Sequence, residues 1–219
     1  MHIKACIFDL DGVIVDTARY HFLAWKRLTE QLGISFTSED NERLKGVSRM
    51  ASLGIILELG RRSFSEKQKI EYATLKNEWY VEYITRMTPE EILPGTVKFI
   101  TELRMANIKT AIGSASKNTP MILERTGIKN LFDAVADGNN VKNAKPDPEV
   151  FLTAAKLINV KNTECVVFED AVAGIQAALN AGMLSVGIGS EDILREAHLV
   201  ISGLNEMNLE RLKLFEKAN

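Results

Sequence analysis

The segment CIFDLDG, residues 6–12, ends an apolar run in two aspartates one residue apart, Asp9 and Asp11, followed by a glycine. A carboxylate can act as a nucleophile, as in aspartyl-phosphate chemistry. Carboxylates gathered with a backbone carbonyl also make a hard-oxygen site that suits octahedral Mg²⁺ with waters and a substrate phosphate in its shell. Three further polar clusters follow apolar runs in the same way: Ser114 after IKTAIG, Lys145 in NAKPDP after AVAD, and Glu169-Asp170 after ECVVF. Each acid alone fits equally well as a helix N-cap or turn residue. Four such clusters, each leaving a strand-like run, point to one shared site.

A second group of residues suits a phosphate held away from the aspartates. KGVSRMAS, residues 45–52, carries Arg49, whose guanidinium can fork two hydrogen bonds to a phosphate. SASKN, residues 114–118, adds Ser116, Lys117 and Asn118 near a helix N-terminus. Lys45 and Arg49 are four residues apart, one helical turn, and equally fit a solvated basic face. Further candidates lie on predicted helices. His21 is either a packing residue or an aid to Asp11. Trp25 belongs either to a sugar face or to a core. Ser52 reads as a residue that could reach a sugar face, and Lys76 reads as a surface lysine that could meet a sugar hydroxyl. Asp16 and Thr17 read as a hinge. Met50, Met87 and Met121 read as core residues, and His2 and His198 have no metal-ligand spacing around them.

The elements that must position these residues follow from the apolar pattern. Short runs rich in Val, Ile and Phe recur at 4–8, 108–113, 134–137, 164–170 and 183–189, each followed by a helical pattern. Strands alternating with helices predict an α/β fold, a Rossmann-like parallel sheet covered on both faces, with ligands beyond the carboxyl ends of the strands. Residues 17–90 break the rhythm. Tyr20, Leu23, Ala24, Leu28 and Leu32 recur at helical spacing, and two more helical stretches follow without a strand. The expected division is a core of residues 1–16 and 91–219 with a helical cap, 17–90, inserted after the first strand. The last residues predict an amphipathic helix on the core.

With 219 residues, 46% of them hydrophobic, the chain can bury a sizeable core. A net charge of −2 and a pI near 6.0 give no global field for nucleic acid or anionic lipid, so any anion must be bound locally. Cys6 and Cys165 sit in apolar runs and read as buried hydrophobes in a reducing compartment. No run of about 18 apolar residues and no secretory pattern is present, which predicts a cytoplasmic protein without a membrane partner.

The motifs DLDGV at 9–13, Ser114, Lys145-Pro146 and Glu169-Asp170 resemble the four motifs of the haloacid dehalogenase superfamily, and the resemblance covers essentially the whole chain, cap included. It implies that Asp9 is the nucleophile that takes a phosphoryl group and Asp11 the general acid/base in contact with substrate. Ser114 and Lys145 would hold the phosphoryl group, and Asp9, the Asp11 carbonyl, Glu169 and Asp170 would hold Mg²⁺. DLDGVIVDTARYHFLAWK, LKGVSR and SASKN are further similar to the sugar-phosphate mutases of that superfamily. Those enzymes interconvert β-D-glucose 1-phosphate and D-glucose 6-phosphate through β-D-glucose 1,6-bisphosphate. The likeness implies that Gly46, Val47 and Arg49, with Ser116, Lys117 and Asn118, grip the bisphosphate, and that the protein is a monomer. A mutase must also exclude water to keep its phosphoenzyme, and an anchor on each side of a cleft would draw the cap shut. Gly113 and the NNVKNA segment before Lys145 depart from the expected pattern and could alter affinity or loop stability. The alternatives are a sugar-phosphate phosphatase of the same fold and a non-catalytic phosphosugar-binding regulator. The cluster of mutually repelling acids argues against the second.

Overall fold

The structure, a computed structural model, describes residues 2–45 and 47–218. The chain opens with β1 (Ala5–Phe8) and then runs through α1 (Ala18–Gln31), α2 (Ser38–Glu42), α3 (Arg49–Leu59) and α4 (Glu66–Ile84) before the next strand. It continues with α5 (Thr96–Met105), β2 (Lys109–Gly113), α6 (Thr119–Arg125), β3 (Ala134–Ala136), α7 (Glu149–Leu157) and β4 (Cys165–Glu169). The remainder is α8 (Val172–Asn180), β5 (Leu184–Ile188), α9 (Glu191–Leu194), β6 (Leu199–Ile201) and α10 (Leu209–Ala218).

The strands form one parallel sheet in the order β3-β2-β1-β4-β5-β6. β1, β4 and β5 are buried along their whole length, which is why their sequences are nearly continuous apolar runs. Side chains alternate between the two faces. Cys6 and Phe8 join one core, where Phe8 stacks on Phe168 at 4.8 Å and meets the edge of Phe99 from α5. Ala5 and Ile7 join the other, packed with Phe151 and Ala154 of α7 and Ala177 and Ala178 of α8. The order reverses at β1, between β2 and β4, so the crevice beyond its carboxyl end is the expected ligand position of a doubly wound sheet.

The helices between β1 and α5 pack as a layer of their own, α4 lying against both α1 and α3. Capping fixes where α4 begins: the Ser65 and Gln68 side chains each accept from the other's backbone N–H. The two crossings between this insert and the core run side by side. Val15 bridges Ile92, the Leu93 N–H donates to the Ile14 carbonyl at 3.0 Å, and the Asp16 N–H donates to the Glu91 carbonyl at 2.9 Å.

The structure corrects several sequence expectations. β6 was not predicted; it has only three residues, and its pairing with β5 rather than its own pattern makes it a strand. Leu23 is 45% exposed, because the face of α1 toward α4 is built from Ala24, Trp25, Leu28 and Thr29 instead. Met87 is buried, but Met50 is exposed on the first turn of α3, and Met121 is only partly covered. Lys45 lies in the loop after α2 while Arg49 opens α3, so the pair does not share a helical turn. Both cysteines are free and buried, and no helix is long and apolar enough to cross a membrane.

Candidate active site

The carboxyl end of β1 delivers Asp9 to the crevice. Its N–H donates to the Phe168 carbonyl at 2.9 Å, continuing the ladder to β4, and its side chain is buried. The Asp11 N–H turns back to donate to Asp9 Oδ2 at 3.0 Å. Lys145 Nζ donates to Asp9 Oδ1 at 2.5 Å and to Glu169 Oε2 at 2.8 Å, with the Phe151 ring 4.8 Å beneath it. Glu169 is fully buried, and its Oε1 accepts the Ala171 N–H at 3.1 Å. Two glycines make this crowding possible. A Cβ on Gly12, whose φ is +82°, would fall 2.3 Å from Asp170 Oδ2, and one on Gly174 would fall 2.0 Å from the Glu169 carboxyl carbon. The departure at Gly113 has a similar cause: a side chain there would strike the Phe151 ring at 2.7 Å.

Charge compensation sets the protonation behaviour of this end. Burial, then the charge of Asp9, pushes Asp11 up to about 6, against a hydrogen bond from the Thr17 hydroxyl. Burial, then Asp9, pushes Asp170 up to about 7. Burial raises Glu169 to about 8 in spite of Lys145, with Asp9 and Asp170 adding to the rise. For Lys145 burial works against the charge, but Asp9 and Glu169 more than offset it and hold it above the ordinary lysine range. Oxygens of Asp9, Glu169 and Asp170 lie within 4.8 Å of one another. An all-carboxylate oxygen set whose members resist ionisation side by side fits a hard divalent cation such as Mg²⁺.

Above this floor lies a cavity of about 680 Å³ between the insert and the sheet. Asp9, Asp11 and Asp170 line one part of it; His21, Trp25, Val47, Arg49, Ser52 and Lys76 line the insert side, and Ser116, Lys117 and Asn118 the core side. Ser114 is fully buried, and its Oγ accepts the Ser116 N–H at 3.1 Å. The Asn118 N–H in turn donates to Ser116 Oγ at 3.2 Å, so SASKN is a wound loop leading into α6. Gly46 lies outside the described residues.

Lys76 is not the surface residue its sequence suggests. It is 2% exposed, with Nζ 4.6 Å from the Trp25 ring centre and 4.7 Å from that of Tyr80. Burial, then the charge of Arg49, pushes it down to about 7. His21 stacks on Tyr80 at 4.1 Å, and its Nδ1 is 2.9 Å from Lys76 Nζ. Burial and the charges of Lys76 and Arg49 hold this imidazole well below the ordinary histidine range, so it is a neutral acceptor for the lysine.

Sequence reasoning missed several contributors. Thr17, read as a hinge residue, donates to Asp11 Oδ1. Lys45 pairs with Glu42 at 2.9 Å and reaches Asp170 at 3.6 Å. Asn41, Asn77, Tyr80 and Lys142 also line the cavity. The available signal was helical spacing: Ile70, Ala73, Thr74, Asn77 and Tyr80 form one stripe of α4.

Comparison with known proteins identifies the family. A family model described as haloacid dehalogenase-like hydrolase matches residues 3–182. The β-phosphoglucomutase of Bacillus subtilis is 44% identical over 211 residues, 95% of this chain and 93% of the relative. A phosphorylated carbohydrates phosphatase of Thermotoga maritima is 30% identical over 82% of each chain. The crystal structure of β-phosphoglucomutase from Clostridium difficile superposes with a TM-score of 0.94 at 44% identity, covering 99% of this chain and 98% of that one.

Proposed function

The chain belongs to the haloacid dehalogenase-like hydrolase family, and from that premise we propose that it catalyses the β-phosphoglucomutase reaction, interconverting β-D-glucose 1-phosphate and D-glucose 6-phosphate. The observation that carries this reading is the 44% identity to a β-phosphoglucomutase across nearly the full length of both chains. The cavity supports it, because Asp9 shares that space with a second set of phosphate-binding groups, Arg49 and Ser116–Asn118.

Each turnover begins with Asp9 carrying a phosphoryl group. Asp11 removes the proton from the 6-hydroxyl of β-glucose 1-phosphate as that oxygen bonds to phosphorus and the Asp9–phosphorus bond breaks. The product is β-glucose 1,6-bisphosphate, which also serves as activator by phosphorylating a resting enzyme. After the bisphosphate turns round, Asp9 attacks the 1-phosphate, and Asp11 returns the proton to the departing C1 oxygen, releasing glucose 6-phosphate. A carboxyl poised at about 6 can perform both tasks near neutral pH. Lys145 and the Ser114 hydroxyl compensate and orient the transferring group. Asp9, Asp170, Glu169 and the Asp11 carbonyl would hold Mg²⁺, which would supply further positive charge to the phosphoryl oxygens. The phosphate not undergoing transfer rests on Val47, Arg49, Ser116, Lys117 and Asn118. Ser52, Lys76, His21 and Trp25 face the sugar. Residues 17–90 act as a cap whose closure excludes water. We place the enzyme in the cytoplasm as a monomer acting on small sugar phosphates.

The test follows purified protein with Mg²⁺, β-glucose 1-phosphate and a trace of the 1,6-bisphosphate, with glucose 6-phosphate and inorganic phosphate read together. Rapid glucose 6-phosphate from the β-anomer and not the α-anomer, with little free phosphate, is the expected result. Free phosphate without glucose 6-phosphate would make the enzyme a phosphatase.

A further inference from the structure

Away from the paired crossings, two polar contacts join the insert to the core among the described residues. Lys45 reaches Asp170 at the carboxylate end, and Asn118 Nδ2 donates to Asn77 Oδ1 at 3.2 Å at the SASKN end. Asn77 lies on the cavity-facing stripe of α4, one residue beyond the buried Lys76, and α4 packs there against α6. Its partner Asn118 belongs to the loop held by the Ser114 and Ser116 hydroxyls.

The side-chain torsion of an asparagine carboxamide is broad and poorly fixed on its own. A bond to a neighbouring helix fixes it. Spending one Asn118 N–H on Asn77 leaves the second for a ligand, and the ordering cost of holding the carboxamide is met before that ligand arrives. The chemistry of the acceptor is informative too. A carboxylate at position 77 would also accept this bond, but it would put a negative charge beside a bound phosphate; a carboxamide accepts without charge.

We propose that Asn77 is a positioning residue for the distal phosphate: it orients the Asn118 carboxamide and couples occupation of that anchor to docking of α4 on α6. This rests on the reading of Asn118 as a phosphate ligand given above. The cap is thereby linked to the distal phosphate twice, directly through Arg49 and through the Asn77-Asn118 bond.

The experiment uses the Asp9→Asn enzyme, which cannot accept a phosphoryl group, and titrates it calorimetrically with β-glucose 1,6-bisphosphate in Mg²⁺. Asn77→Ala, Asn118→Ala and the double change are made in that background. Asn77→Ala should weaken binding by about three- to ten-fold, the worth of one hydrogen bond. In the Asn118→Ala background the same change should cost less than about two-fold, because the two residues act as one unit. Unchanged affinity in Asn77→Ala, or the same loss with and without Asn118, overturns the proposal while leaving the mutase reading intact. Failure of the Asp9→Asn enzyme itself to bind the bisphosphate overturns the mutase reading and this proposal with it.

Discussion

The two sides of the cleft solve opposite electrostatic problems. On the core side, carboxylates crowd around Lys145, which pairs with both Asp9 and Glu169 and is 4% exposed. On the insert side the cations are the crowded species. Among the described residues neither Arg49 nor Lys76 has a carboxylate within salt-bridge distance, and Lys76 rests on aromatic rings and a neutral histidine. Among the described residues, the buried Asn41 Oδ1 on that side has no hydrogen-bond partner. The difference teaches where each kind of ligand belongs. Excess negative charge on the core side favours a divalent cation and a proton, whereas excess positive charge on the insert side favours an anion.

Replacing Asp9 with Asn should produce the largest effect. It removes the proposed nucleophile and leaves an acceptor for Lys145, so turnover should fall by at least about 10⁴-fold with little change in melting temperature; a variant that still incorporates phosphate into protein would break the assignment. Lys145→Ala strikes the balance of the core side directly. Leaving Asp9 and Glu169 buried without their cation should cost about 3–5 kcal/mol of stability in urea unfolding. A loss below about 1 kcal/mol would mean that Lys145 is not what balances this acidic cluster.

Arg49→Ala tests the other side. Mutase turnover should fall by about 10–100-fold, on the order of a charge-assisted hydrogen-bond pair, and the fraction of phosphoenzyme lost to water should rise as the distal phosphate no longer holds the cap closed. Unchanged partitioning between glucose 6-phosphate and inorganic phosphate would remove Arg49 from the anchor. The smallest effect concerns Lys76. Lys76→Met exchanges a buried cation for an apolar side chain of similar length and should raise stability by about 1 kcal/mol at or below pH 7, while impairing sugar binding.

The two sides should also respond to pH in opposite directions. Asp11, Asp170 and Glu169 have folded values of about 6, 7 and 8, all above the unfolded carboxylate range near 4. Their favourable contribution is full below about pH 4 and is lost as pH rises through 6 to 8. Metal-free protein should therefore lose stability over that range, and Mg²⁺ should raise the melting temperature more at pH 8 than at pH 5.5. Lys76 has a folded value of about 7, below its unfolded value near 10.4. Its penalty is full below pH 7 and lifts as pH rises toward 10, so the advantage of Lys76→Met should fade over that window.

Much of the fold and of the core side was legible from the chain. A strand buried on both faces must be apolar, and the first polar residue after it must lie at the sheet's carboxyl edge, so Asp9, Ser114 and Glu169 announce themselves by position. β1, β2, β4 and β5 were expected within one residue of their observed ends. The insert side was harder to read. α4 has charged or polar residues on most of its circumference, and local pattern does not choose which of them turn inward. Local pattern therefore marks Lys76 as a surface residue, includes the exposed Leu23 in the apolar stripe of α1, and gives no sign of Asn77.

The sequence by itself marked the acidic residues at the strand ends and the alternation of strands and helices that builds a parallel sheet, because these depend on residue type and on chain-local periodicity. Only the tertiary structure decided that Lys76 is sealed between Trp25 and Tyr80, that Lys45 leans on Asp170, and that Asn77 meets Asn118 across 41 residues of chain. Those contacts arise where two independently formed layers meet. Their geometry is set by how α1 and α4 pack together and how the insert rests on the sheet, and no local propensity encodes it.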